Sequence, residues 1–203
     1  LHRDAERAGV MAQLLRGRLG PSGYLALLHN LHAIYEAMEL ALLDHRAHAA
    51  VAPIYDPALA RSDALLADMS ALCRVFGIAR PAQYASATRD YVARLRSLAA
   101  AEVHGLVAHA YVRYLGDLSG GQMLRRVILS NPALAPSGAV DFYDFGDAAT
   151  VQARVARFRA GLDAVAEVET RLDAIVTEAI DAFRRHVCLF EELMPTPRTI
   201  RGG

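Results

Sequence analysis

A chain of 203 residues, 54% of them apolar, can bury the core of one domain. Its 22 basic and 22 acidic residues cancel, so no basic surface advertises nucleic acid. Cys73 and Cys188 form no CxxC pair and imply no disulfide framework, and no apolar run reaches the roughly 18 residues of a membrane span.

Strand signals are scarce, and alanine, leucine, arginine and glutamate recur at three- and four-residue spacings, which predicts an all-α chain. A first helix is expected over residues 2–16, stopping at Gly17 and Gly20. The Gly20, Pro21 break introduces a second over 24–48. Pro53 and Pro57 bracket a turn, residues 59–76 read as helix, and Pro81 opens a short element before a helix over 87–100. A longer helix follows over 102–130, then a loop over 131–138 and an aromatic, turn-like stretch over 141–146. Two late helices, 149–168 and 169–193, close an expected single domain of residues 1–194, and 195–203 reads as a flexible tail.

The 102–130 helix is costly. Gly116, Gly120 and Gly121 lie in its interior, and each costs about 1 kcal/mol against alanine. Gly116 and Gly120 are spaced i, i+4, which strips side chains from one face. Either a second helix crosses closely there or a flat ligand occupies the gap. Arg113 and Asp117 stand one turn apart beside that strip, either as a helix-surface ion pair or as polar groups of a ligand slot. At the other end of the chain His2 and Glu6 share a helical face. This spacing suits a metal-ligating histidine oriented by a carboxylate, and equally a solvated pair. His29 with His32, and His45 with His48, are three apart, but no Glu-x-x-His pairs support a di-iron bundle.

The run Ala108-His-Ala-Tyr-Val-Arg-Tyr-Leu-Gly-Asp-Leu-Ser-Gly-Gly-Gln122 closely resembles the distal-helix signature of the heme oxygenases. Shorter matches at 2–6, 34–35, 53–57, 91–95, 158–159 and 189–193 follow in the family's order, so the resemblance covers nearly the whole chain. It implies an all-α, single-domain heme oxygenase-like fold, with heme between a proximal and a distal helix, and an enzyme that cleaves heme to biliverdin, carbon monoxide and ferrous iron. Dioxygen and electrons from an external donor, a ferredoxin, flavodoxin or reductase, would be needed, because no dinucleotide or flavin pattern is present. With no secretory leader ahead of Leu1, a cytoplasmic location is expected.

The resemblance also distributes roles. His2 becomes the expected iron ligand, supported by Glu6, with Met11 further along the same helix. Asp117 becomes the expected catalytic distal residue, organising water that relays protons, and Arg113, Tyr35 and Tyr91 complete its hydrogen-bond network. Gly116, Gly120 and Gly121 form the distal wall, and Phe183 an apolar one. Tyr111 and Arg159 match positions that contact the heme propionates, with Arg154 and Arg157 nearby; all basic residues being arginine suits such anions. His186 departs from the asparagine common in relatives and leaves the proton pathway and the cleaved meso carbon open. Two other readings compete. One is a heme-binding module without turnover, against which the intact Gly116, Asp117 pair argues. The other is a thiaminase-like enzyme, for which Cys73 and Cys188 show no catalytic constellation.

Overall fold

The computed structural model describes residues 8–168 and 170–194. His2, Glu6 and the 195–203 tail lie outside that range. Among the described residues all regular structure is helical, without strands. Helices α1 (Gly9–Leu15), α2 (Pro21–Asp44), α3 (Ser62–Phe76) and α4 (Ser86–Ala101) precede α5 (Gly105–Ala110), which runs through a π-helical turn (Tyr111–Leu115) into α6 (Gly116–Ser130). Helices α7 (Ala148–Val168) and α8 (Leu172–Glu192) follow, and short 3-10 turns lie at Pro57–Leu59, Ala135–Ser137 and Asp141–Tyr143.

Helix α2 is the centre of the core. Pro21 occupies its first turn, where a missing N–H is harmless, and this starts the helix ahead of the expected residue 24. Tyr24, Leu28, Leu31, Ile34, Tyr35 and Met38 are buried around several faces of it, so α3 and α4 pack against it from different sides. The helix ends at Asp44, not 48, and tight turns carry the chain to Ile54. The expected 59–76 helix divides into the Pro57–Leu59 turn and α3, which ends on Gly77 in the left-handed conformation. Pro81 opens no helix, since residues 81–85 are irregular.

Several helix starts are capped by carboxylates from elsewhere in the chain. Glu39 of α2 accepts from the Arg61 and Ser62 backbone N–H groups, at 2.6 and 3.2 Å, and from the Ser62 hydroxyl. Glu192 of α8 accepts from Ser86 N–H at 2.7 Å and Ala87 N–H at 2.8 Å at the start of α4. Each carboxylate satisfies donors that a helix terminus leaves open, and so ties one helix to another. Helix α1 lies directly on the α8 backbone: a Cβ on Gly9 would stand 1.8 Å from the Phe190 carbonyl oxygen. Met11 and Leu15 of α1 and Gly116 and Gly120 of α6 line one cleft. No helix among the described residues is long and apolar enough to cross a membrane.

Candidate functional site

Pattern reading predicted one α-helix over 102–130. The structure starts the helix at Gly105 and inserts a wide π turn over Tyr111–Leu115, directly before Gly116. A π turn adds a residue to one turn and shifts the faces beyond it, and such turns gather at functional sites.

Beyond that turn the three glycines separate in role. Among the described residues, a Cβ built on Gly116 or Gly120 meets nothing within 4 Å. No helix among the described residues therefore crosses at that stripe. Both glycines instead line a cleft whose far side is Met11 and Leu15 of α1 and whose end is Phe183, His186 and Phe190 of α8. Gly121 differs from the expectation that it walls the same cleft. It is buried, and a Cβ there would stand 3.3 Å from the Tyr143 carbonyl oxygen, so it seats the Asp141–Tyr143 turn.

Asp117 and Arg113 line the cleft beside the bare stripe. The Arg113 guanidinium donates to Asp117 Oδ1 at 2.9 Å and, through Nε, to the Tyr35 hydroxyl at 2.9 Å. Tyr35, fully buried on α2, donates to the other carboxylate oxygen of Asp117. The three side chains close a ring of hydrogen bonds, with Arg113 also lying 5.1 Å over the Tyr35 ring. Burial pushes the Asp117 carboxyl up from its ordinary pKa, while Arg113, the Tyr35 hydroxyl and Arg61 pull it back. The result is a carboxyl able to hold a proton closer to neutrality than a solvated aspartate. Of the two readings of the Arg113 and Asp117 pair, a helix-surface ion pair and polar groups of a slot, burial of both side chains leaves the second.

Tyr91 was expected in this cluster and lies elsewhere. Its hydroxyl is 2.9 Å from His109 Nδ1, and His109 Nε2 is 2.9 Å from Glu178 Oε1. A carboxylate only accepts, so His109 carries its hydrogen on Nε2 and the tyrosine donates to Nδ1. Arg94 grips the same Glu178 with two nitrogens, at 3.1 and 2.6 Å. Burial of Glu178 is overcome by the His109 and Arg94 contacts, and its pKa is held down to about 2. His109 and Glu178 were missed in the sequence because they are 69 positions apart. Tyr91 nonetheless borders the cleft indirectly, edge-on to His186 at 5.0 Å.

Met11 and Phe183, expected as apolar contacts of the ligand, both line the cleft. Tyr111 and Arg159, expected to contact propionates at the mouth of the slot, are exposed and are not among the residues that line the cleft. Of the neighbouring arginines, Arg157 pairs with Asp56 at 2.6 Å. His29 stacks on Tyr84 at 4.4 Å, and the described residues contain no cluster of three metal-ligating side chains. His2 and Glu6, the expected iron-side pair, lie outside the described residues.

Comparisons with known proteins bear on this cleft. The family model described as heme oxygenase matches residues 1–192. Heme oxygenase 1 of Nostoc sp. is 36% identical over 194 residues, covering 95% of this chain and 80% of that protein. The structure of a heme oxygenase from Leptospira interrogans superposes with a TM-score of 0.85 at 31% identity, covering 94% of this chain and 93% of that one. Heme oxygenase-2 from Synechocystis sp., solved in complex with heme and NO, gives 0.84 at 32% identity, covering 95% of this chain and 80% of that one.

Proposed function

Because the chain belongs to the heme oxygenase family, whose reaction degrades heme to biliverdin, we propose that its cleft holds heme between α1 and α6, with His2 as iron ligand and Asp117 as the distal catalytic residue. One observation carries this reading: the Gly116 and Gly120 stripe faces open space directly beside the buried Asp117, Arg113 and Tyr35 cluster. A flat macrocycle fits against a bare helix face, and the polar cluster then stands at its edge. Two of the residues lining the cleft, Tyr143 and His186, carry buried polar atoms, Oη and Nε2, without hydrogen-bond partners among the described residues.

Heme, when bound, supplies both the redox-active iron and the ring that is opened. The protein's part is positioning and proton control. His2, supported by Glu6, would hold the iron through one ring nitrogen while the other keeps the tautomer fixed. Met11, Leu15 and Phe183 would exclude bulk water from the ring faces. Asp117 would hold a proton at its carboxyl and pass it through ordered water, and Tyr35 and Arg113 would fix that carboxyl's orientation. Dioxygen enters as co-substrate and electrons come from a separate donor protein. Tyr111 and Arg159 are proposed to reach the propionates at the mouth of the slot. A cytoplasmic setting is part of the same proposal.

The reading is tested by adding heme, oxygen and a reducing system to the purified protein. Loss of the Soret band with appearance of a bilin spectrum is expected. Heme that binds and stays intact under a competent donor points to the heme-binding module instead.

A further inference from the structure

Asp68 on α3 is a buried carboxylate that the slot chemistry does not use, and it is not among the residues that line the cleft. Both of its oxygens serve backbone 73 and 74 positions away: Oδ1 accepts from Asp141 N–H and Oδ2 from Phe142 N–H, at 2.9 Å each. These are the first N–H groups of the Asp141–Tyr143 turn, donors that a helical turn leaves without partners of its own.

A serine or aspartate at position 140 would cap such a turn locally. Val140 stands there instead, with no side-chain cap, and a charged group reaches the N–H pair from another helix. That arrangement is costly. Burial pushes the Asp68 carboxyl up to about 6 against the pull of the two N–H groups, and no cation among the described residues offsets it. What the distant carboxylate does, and a local cap would not, is fix where the turn sits on the core. The segment entering the turn is tied down in the same manner, by Tyr24 of α2 donating to the Ala139 carbonyl at 2.9 Å.

The turn bears on both helices that carry the distal cluster. Phe142, fully buried, stands edge-on to the Tyr35 ring at 5.3 Å, and Arg113 lies over the same ring at 5.1 Å. Tyr35 in turn donates to Asp117. The Tyr143 carbonyl oxygen presses on α6 at Gly121, four residues after Asp117, where a Cβ would stand 3.3 Å from it. A displaced turn would therefore disturb the tyrosine that orients the carboxyl and the helix that bears it.

We infer, resting on the heme-slot reading above, that Asp68 is a positioning residue for Asp117: by anchoring the Asp141–Tyr143 turn it fixes the Tyr35 ring and the α6 backbone, and through them the carboxyl that handles the proton. Asp68 touches neither the ligand nor the reacting atoms in this role. Its loss acts on the rate of heme cleavage and leaves heme binding alone.

Asp68→Asn is nearly isosteric, but its amide keeps only one acceptor and turns N–H groups toward the other backbone donor. With heme, oxygen and reductant supplied, bilin formation should slow by roughly 10-fold while a heme titration at the Soret band returns the parent affinity. If Asp68→Asn does not fold, Phe142→Leu takes its place; it keeps the cap, removes the ring that bears on Tyr35, and should show the same split. Glu192→Gln is the control, because it breaks a carboxylate cap of the same kind at the start of α4 and should leave the rate at the parent value. In an Asp117→Ala background, Asp68→Asn should slow the residual loss of heme no further, since the group it positions is gone. A parent rate in the folded variant, a heme affinity that falls with the rate, an equal slowing in Glu192→Gln, or the same slowing with and without Asp117 each overturn the inference. A wild-type protein that forms no bilin under a competent donor overturns the heme-cleavage reading itself, before any variant is compared.

Discussion

Tyr35 on α2 donates its hydroxyl hydrogen to Asp117 on α6, so the most buried helix of the core holds the carboxylate at the edge of the cleft. Arg113 completes the arrangement from the same helix as Asp117, four residues earlier. The carboxylate is thus positioned from two directions, and its orientation depends on the core as much as on its own helix.

Removing the Tyr35 hydroxyl should loosen that carboxylate without emptying the cleft. Tyr35→Phe leaves the ring packed edge-on against Phe142 at 5.3 Å but deprives Asp117 and Arg113 of a buried partner. The expected loss is roughly 1–3 kcal/mol of folding stability in urea titrations, with heme still bound and bilin formation slowed. Unchanged stability would show that the Asp117 contact contributes nothing to the fold.

The open space at Gly120 predicts a size-dependent result. Gly120→Ala should be tolerated and should raise stability by about 1 kcal/mol, because the added methyl meets no atom of the described residues and alanine is the better helix former. Gly120→Leu should keep the fold yet weaken heme binding, read as a reduced Soret shift in a heme titration. Leucine that leaves heme affinity untouched would place the ligand elsewhere.

Glu178 gives a pH signature. Its folded pKa of about 2 lies below the ordinary 4.5, so its stabilising contribution is fully present above pH ~4.5. It is lost as pH falls toward 2, when protonation releases Arg94 and His109. Urea unfolding at a series of pH values across that window should show stability falling with acid, and Glu178→Gln should flatten the slope. Equal slopes in the two proteins would remove Glu178 from the account.

Much of this was legible in the chain, and the reasons differ by residue. Helical spacing alone put Gly116 and Gly120 on one face with Asp117 beside them, because those relations are local and fixed by 3.6 residues per turn. Gly121 was misplaced with them. Its neighbour is the Asp141–Tyr143 turn, and nothing in the local spacing says which loop returns to a helix face. Tyr91 was grouped with Asp117, yet its partner is His109, whose other nitrogen depends on Glu178 in the last helix. The carboxylate caps supplied by Glu39 and Glu192 are likewise contacts between distant segments, which is why the start of α3 shifted from the pattern reading. The π turn is invisible to any search for a 3.6 period, since it is a departure from that period.

His2 carries the proximal side of the proposal. His2→Ala should keep the α-helical fold but lose the absorbance signature of histidine-ligated heme, and added imidazole should restore it by occupying the vacated position. A wild-type heme spectrum in His2→Ala would move the iron ligand to another residue.

The most direct test of the central claim compares Asp117→Ala with the parent protein, both loaded with heme and supplied with oxygen and the same reductant. The account predicts an unchanged Soret shift on heme binding and a loss of biliverdin formation of roughly 10²–10⁴-fold, the range expected for removal of a proton-handling group. Biliverdin formed by Asp117→Ala at the parent rate would contradict it.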